Sequence, residues 1–373
     1  MIDLTIGYGH KNRPVLWEDP FTHLFMSGKS GTGKTVLLKN WWQECSYFKS
    51  SKILVEPSGF MAKDCRNLSP RALYCSLDNP ISLNPMAQPY GVNQKIDTLC
   101  EAINQVIEAS GGGTGDLTVH MRSAIAPAVT QCVAKSRLTI DAVLTEIKKA
   151  QMNELTRRGI VARLEFLLED ERFNRILCGE NPIEWGEFIE ESKSLIFDAS
   201  GMSKDKMVMA GTLIAMGIKN YFRYLKPKRY RPVRLFFDEC HNFLNPNFFD
   251  LLKEGRKYKI SCIMATQDFS MISDTLVKVL LNVGTIVSFR VGYEVASKIA
   301  REMRLRPEDL QNLPDYHLAY MTPRGTGRAK APSPPFIRRR KWKAELRMAK
   351  PEKTEIRKNA SGGWFPLEPY PAV

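Results

Sequence analysis

Residues 27–40 read SGKSGTGKTVLLKN, and this stretch decides the fold. Positions 28–35 fit the phosphate-loop pattern G-x-x-x-x-G-K-[ST] in full. An apolar segment, THLFMSG at 22–28, precedes the loop, and a helical pattern, VLLKNWWQEC at 36–45, follows it. A strand before the loop and a helix after it are the context that the pattern requires. The stretch therefore predicts a site for nucleotide phosphates at the carboxyl end of a strand.

Each residue type in the loop has a physical role. Glycines let backbone N–H groups turn toward a β-phosphate, at the positive end of the following helix. Lys34 is expected to reach the β- and γ-phosphate oxygens, and the Thr35 hydroxyl is expected to bind Mg²⁺. The residues predicted to contact the nucleotide are Gly28, Lys29, Ser30, Gly31, Thr32, Gly33, Lys34 and Thr35.

An acidic pair ends a second apolar strand, VRLFFDE at 233–239. Asp238 is expected to bind the Mg²⁺ shell through water, and Glu239 to polarise the attacking water as general base. Taken without the other motifs, the acidic pair could instead be a strand end that is simply capped by an acid. Glu239, next to Asp238, supplies a general base from the chain itself, which favours an ATPase over a GTPase. The sequence also lacks N-K-x-D, the element that reads guanine, so ATP is favoured over GTP. The predicted cofactors are therefore ATP and Mg²⁺.

Gln267 ends the next apolar strand, KISCIMATQ at 259–267. Carboxyl ends of parallel strands meet at one edge of a sheet, so the Gln267 amide is expected near the γ-phosphate or the attacking water. The alternative is a polar residue that caps a strand.

Strand and helix patterns alternate along most of the chain, which predicts an α/β fold with a mostly parallel sheet. The predicted core comprises residues 1–90 and 177–323. Helical periodicity at 91–176 indicates an all-helical insertion, and 324–373, rich in Pro, Gly and basic residues, is predicted to be a basic, partly disordered C-terminal arm.

The composition of the chain bears on its partner and on its cellular compartment. The net charge is +14, and residues 324–350 contain ten Lys or Arg and one Glu. Such charge favours a polyanionic partner, although a solubilising tail would also explain it. Eight cysteines without a C-x-x-C pair, no signal peptide and no long apolar run predict a cytoplasmic protein without an integral membrane segment.

Two segments resemble the HerA/FtsK group of DNA-pumping ATPases, which includes conjugation, type IV secretion and viral genome-packaging motors. They are EGRKYKISCIMATQDFSMI at 254–272 and NVGTIVSFRVGYEVASKIARE at 282–302, and LRPEDLQNLPDYHLAYM at 305–321 is similar to the closing turn and edge strand of the group. The resemblance implies a RecA-like P-loop core, a homo-oligomeric, hexameric ring and ATP-driven movement of duplex DNA through its channel.

The same resemblance implies an arginine that completes the active site of a neighbouring subunit. Arg256 is the first candidate by position and Arg290 the second. A surface or sheet-edge salt bridge is the alternative role for either residue.

The phosphate loop begins at residue 28, which leaves no room for the β-barrel or membrane helices of larger relatives. The expectation is a bare motor core, with a capsid or secretion-channel partner supplying the target. DNA contacts are expected from KPKRYR at 226–231 or from the arm, where Trp342 could stack on a base. A motor that moves protein instead of DNA remains an alternative, and DNA-stimulated hydrolysis would separate the two.

Overall fold

The computed structural model describes residues 3–17, 22–109, 119–225, 227, 231–243, 251–267, 269, 272 and 274–337, and two short strands further on. Met1–Arg339 forms one compact unit and Arg340–Val373 a second. In the second unit, strands Arg357–Lys358 and Trp364–Phe365 pair antiparallel.

In the first unit the described strands form one sheet. Their bounds are β1 Leu4–Tyr8, β2 Pro14–Trp17, β3 Leu24–Ser27, β4 Ser51–Glu56, β5 Leu73–Cys75, β6 Ser194–Asp198, β7 Val233–Phe237, β8 Ile260–Thr266, β9 Thr285–Ser288, β10 His317–Thr322 and β11 Gly325–Lys330. Across the sheet the order is β2-β1-β11-β10-β9-β3-β8-β7-β4-β6-β5.

The strands from β9 to β5 in this order are all parallel, and β10, β11, β1 and β2 are added antiparallel. The central strands are buried along their whole length, as expected for a parallel sheet covered on both faces. The predicted α/β class with a mostly parallel sheet is confirmed.

One face of the sheet is covered by helices α1 (Lys34–Glu44) and α2 (Phe60–Leu68). Trp41 and Trp42 of α1 lie in the apolar cluster on this face, together with Trp17. The indole of Trp41 donates a hydrogen bond of 2.7 Å to the carbonyl of Thr5. This contact fastens the β1–β2 hairpin to the helix that follows the phosphate loop.

The other face is covered by further helices. They are α3 Val92–Ala109, α4 Val119–Ala134, α5 Ile140–Lys149, α6 Glu154–Leu168, α7 Glu171–Cys178, α8 Trp185–Glu190, α9 Lys204–Asn220, α10 Asp274–Leu281, α11 Tyr293–Met303 and α12 Pro307–Gln311. A single apolar cluster contains residues of the sheet, of α9 and of α3 to α7.

Helices α3 to α7 occupy the segment in which the sequence predicts an insertion. A polar contact joins this segment to the core: Asn220 Nδ2 of α9 lies 2.9 Å from the Thr98 hydroxyl. The insertion therefore packs directly on the helix that covers the centre of the sheet.

Two expectations differ from the structure at the antiparallel side. The sequence resemblance predicts an edge strand within 305–321, but β10 pairs on both sides, with β9 and β11. The predicted arm from residue 324 includes Gly325–Lys330, which is β11. Both differences have one cause: β11 and the β1–β2 hairpin extend the sheet beyond β10, and these segments are too short to show a strong strand pattern.

Among the described helices, none is both long enough and apolar enough to cross a membrane.

Helix α9 approaches Trp185 of α8 closely at Gly217. A Cβ added at Gly217 would lie 2.0 Å from the indole Nε1, and Trp185 is buried. We expect Gly217→Ala to lower the free energy of unfolding by about 1–3 kcal/mol, because the ring must move within a packed core. Urea unfolding monitored by tryptophan fluorescence measures this change.

Gly211→Ala in the same helix is the matched control. Its added Cβ would meet Phe243 at 3.4 Å, an ordinary contact. Equal stabilities of the two variants would contradict the close packing of α9 on Trp185.

Candidate nucleotide site

The phosphate loop, residues 28–35, joins β3 to α1, as the sequence predicts. Gly31 and Gly33 have φ values of 77° and 120°, a region in which glycine alone is unstrained. At Gly28 a Cβ would lie 2.7 Å from the Cβ of Phe289, so the loop also needs glycine for close packing. These constraints explain why the glycines stand at their particular positions.

Lys34 is buried, with 5% of its surface exposed, and its side chain folds back over the loop. Its Nζ donates to the carbonyls of Gly28 at 2.5 Å and of Lys29 at 3.3 Å. Burial lowers the pKa of Lys34, while Glu239 and Asp238 oppose this shift. The ammonium group is thus held beside the loop and within the field of the acidic pair.

Asp238 follows β7 directly and is buried. Its backbone N–H lies 3.3 Å from the carbonyl of Val55, which ties the end of β7 to β4. Burial raises the pKa of Asp238 to about 6, with smaller contributions from Glu239 and Glu56, and Lys34 opposes the rise. A buried carboxyl group of this kind gains from a cation placed next to it.

Glu239 has a left-handed backbone, with φ 47° and ψ 57°. This conformation costs about 1–3 kcal/mol for a residue other than glycine and is concentrated at functional sites. Gln267 fixes the side chain: its Nε2 donates to Oε1 at 2.5 Å and its backbone N–H to Oε2 at 3.3 Å. Gln267 therefore orients the candidate base directly.

Two further residues of this edge were missed by the sequence analysis. His241 places Nδ1 3.6 Å from Oε2 of Glu239 and 3.2 Å from the Thr266 hydroxyl. Glu56 ends β4 beside Asp238, is buried, and accepts the N–H of Ser58 at 2.7 Å. In the sequence, the spacing Asp-Glu-x-His could have indicated His241, and the position of Glu56 at the end of a strand could have indicated that residue.

Arg290 follows β9, on the side of the loop away from the acidic pair. The Lys29 N–H donates to its carbonyl at 2.8 Å, and its guanidinium pairs with Asp315 at 2.7 Å. β9 and β8 flank β3 on opposite sides. Arg290 thus lies near the loop of its own chain, apart from Glu239 and Gln267.

Arg256 lies in the 3₁₀ turn Gly255–Tyr258, before β8. The seven residues of β8 separate it from Gln267, about 20 Å at the rise of a strand. Its side chain is exposed at the amino edge of the sheet. The structure does not bring Arg256 to the site of its own chain.

The residues of this edge fit a nucleoside triphosphate with magnesium. The glycine loop has the tight turn and the close approach that phosphate binding needs, and a buried ammonium group stands beside it. The buried Asp238 carboxyl and the hydroxyl of Thr35, the second residue of α1, are oxygen ligands of the kind Mg²⁺ accepts. Their roles stay predictions.

Most of the predicted DNA contacts lie outside the described residues. Only Pro227 and Arg231 of the segment 226–231 are described, and Trp342 lies in a part of the arm that is not.

Replacing Lys34 with methionine tests the phosphate loop. We expect Lys34→Met to weaken binding of a fluorescent ATP analogue by about 10- to 100-fold, because a hydrogen bond to a charged group contributes about 1.5–3 kcal/mol. Fluorescence anisotropy measures the affinity.

Lys39→Met is the control from the same helix, since Lys39 pairs with Asp64 at 2.9 Å. Comparable losses in the two variants would contradict the assigned role of Lys34.

Comparison with known proteins agrees with this architecture. Residues 232–289 match the family described as the TraM recognition site of TraD and TraG. In this chain that segment carries β7 to β9 together with Asp238, Glu239 and Gln267. No curated protein matches the chain by sequence.

Several solved structures share the fold over most of their length. The bacterial conjugative coupling protein TrwBΔN70, in an unbound form, superimposes with a TM-score of 0.70 at 13% identity, covering 90% of this chain and 91% of that chain. TrwB in complex with ADP and Mg²⁺ gives 0.69 at 13%, covering 90% of each chain. VirB4 of Thermoanaerobacter pseudethanolicus gives 0.68 at 17%, covering 89% and 96%. The chain thus has the α/β fold of TrwB and VirB4.

Proposed function

We propose that this chain hydrolyses ATP and uses the energy to move DNA, as the motor of a conjugative transfer system. The observation that carries the proposal is the convergence of Lys34, Asp238, Glu239 and Gln267 at one edge of the sheet. The parallel strands β3, β7 and β8 bring these groups together.

Each of these residues has a distinct role in hydrolysis. Bound ATP with Mg²⁺ supplies the phosphoanhydride that is cleaved. Asp238 and Thr35 would hold the metal shell, and Lys34 would neutralise phosphate charge. Glu239 takes the proton of the attacking water, in an orientation fixed by the two hydrogen bonds from Gln267.

The DNA-moving role is supported by the relatives. TrwB is a conjugative coupling protein that has been seen with ADP and Mg²⁺, and the matched family is named for TraM recognition in TraD and TraG. The net charge of +14 suits a polyanionic substrate. We assign duplex DNA as the substrate and a secretion channel as the partner of the motor.

We place the motor in the cytoplasm, where ATP is available. The eight cysteines form no disulfide, which supports a reducing compartment. A homo-oligomeric ring, hexameric as in the group that the sequence resembles, would bring the amino edge of one subunit to the catalytic edge of the next.

ATP hydrolysis with and without duplex DNA tests the proposal. We expect DNA to stimulate hydrolysis, with a stimulation that falls as salt rises, because binding to phosphates releases counterions. Glu239→Gln should lower the stimulated rate by about 100-fold or more while ATP still binds, because it removes the base.

Hydrolysis that is unaffected by DNA at every salt concentration would favour the protein-moving alternative. Undiminished hydrolysis in the Glu239→Gln variant would contradict the assigned base.

Arg256 is our candidate for the arginine that acts on a neighbouring subunit. It is exposed at the edge opposite to its own site, so it can act only on another chain. We expect Arg256→Ala to lower hydrolysis by about 1000-fold or more. Mixing Arg256→Ala with Glu239→Gln should restore activity. At some interfaces the intact site of an Arg256→Ala subunit then meets the intact arginine of a Glu239→Gln subunit.

Arg290→Ala mixed with Glu239→Gln is the matched control. Arg290 lies beside the loop of its own chain, so this mixture should stay inactive if the residue serves that site. Recovery with Arg290→Ala and none with Arg256→Ala would reverse the assignment.

A further inference from the structure

The positions of the catalytic groups set the direction of a bound nucleotide. Asp238, Glu239 and Gln267 follow β7 and β8, which lie on one side of β3. The terminal phosphate must face these groups if they act on it. The ribose and base then leave the loop on the other side, toward β9 and β10.

An aromatic side chain stands on that side. Tyr316 directly precedes β10, and 49% of its surface is exposed. A Cβ built on Gly33 would lie 3.2 Å from Cδ1 of the Tyr316 ring. The ring therefore lies against the last glycine of the phosphate loop, with much of its surface open to solvent.

The backbone of Tyr316 is fixed to the loop by hydrogen bonds at both of its polar groups. Its N–H donates to the carbonyl of Thr32 at 3.1 Å, and its carbonyl accepts the N–H of Ala331 at 2.8 Å. The backbone that carries the ring is therefore held in place relative to the phosphate loop.

The conformation of Tyr316 is strained, with a φ of 61°. A bulky residue is a rare occupant of this region, because its side chain strains the backbone there. Glycine or asparagine would adopt the same backbone more easily. A tyrosine kept there at such a cost indicates that the ring itself is needed.

We propose that Tyr316 is the platform on which the nucleotide base stacks. The Arg290–Asp315 ion pair borders the platform, because Asp315 precedes Tyr316 and the Arg290 carbonyl binds the loop. Stacking uses the face of the base, which every base has, so Tyr316 holds the base without reading its edge. This inference rests on the proposed function, because it requires a nucleoside triphosphate on the phosphate loop.

Comparing a nucleotide with a bare phosphate chain isolates the contribution of the base. We would measure binding of a non-hydrolysable ATP analogue and of inorganic tripolyphosphate, both with Mg²⁺, by calorimetry on the full chain. Tyr316→Asn removes the ring without adding backbone strain, and Tyr316→Phe keeps the ring. Tyr47→Ala is the control, since Tyr47 is exposed just beyond the far end of α1.

We expect Tyr316→Asn to weaken binding of the ATP analogue by about 5- to 100-fold, the value of stacking one base on an aromatic ring. Binding of tripolyphosphate should stay unchanged, and Tyr316→Phe and Tyr47→Ala should bind both ligands as the parent chain does. In Tyr316→Trp, the ATP analogue should change the fluorescence of the added indole and tripolyphosphate should not.

Two results would overturn the platform. One is an unchanged affinity for the ATP analogue in Tyr316→Asn. The other is an equal loss of affinity for both ligands, which would mean that Tyr316 maintains the conformation of the phosphate loop and does not bind the base. In either case the parent chain still binds tripolyphosphate and the proposed function stands. A parent chain that binds neither ligand would overturn the proposed function together with the platform.

Discussion

The parallel register of β3 with its two neighbours is the constraint on which the site depends. Ser27, at the end of β3, lies beside Thr266 of β8 and Ser288 of β9. The residues that follow these three strand ends are therefore neighbours in space, although they come from distant parts of the chain. A shift of one residue in any strand would turn its buried side chains to the opposite face, so the close packing of those side chains on each face fixes the register.

The same register places several charges in a poorly solvated region. Lys34 and Asp238 are buried, and each shifts the pKa of the other in the direction that favours its charged form. Burial is nevertheless the larger effect for both groups. The carboxyl groups of Asp238 and Glu239 lie close to the Lys34 ammonium group, and that of Glu56 lies close to Asp238, so a bare triphosphate would meet net repulsion there. A divalent cation removes this repulsion, which gives a physical reason for the predicted need for Mg²⁺.

The sequence predicted those parts of the fold that depend on strong local patterns. The central strands β3, β7 and β8 are apolar runs, and the phosphate loop has a fixed spacing of glycines, so both could be recognised without the structure. The β1–β2 hairpin, β5 and β11 were not predicted, because each is short and is stabilised by partners far away in the chain. Lys52 illustrates a second limit: it lies buried inside β4, and its Nζ is satisfied by the carbonyl of Trp42 and the hydroxyl of Ser69. No local pattern indicates such partners.

Backbone conformation explains what was missed within the site itself. Glu239 and Tyr316 both have a positive φ, at 47° and 61°. Neither sequence position has a glycine or asparagine that would have marked a left-handed residue. In both cases the strained residue is held by hydrogen bonds to a distant part of the chain: Gln267 after β8 holds the Glu239 side chain, and Thr32 of the phosphate loop accepts the Tyr316 N–H. The strain is therefore sustained by the arrangement of the sheet, which places the parallel strands β7 and β8 on one side of β3 and the antiparallel β10 on the other.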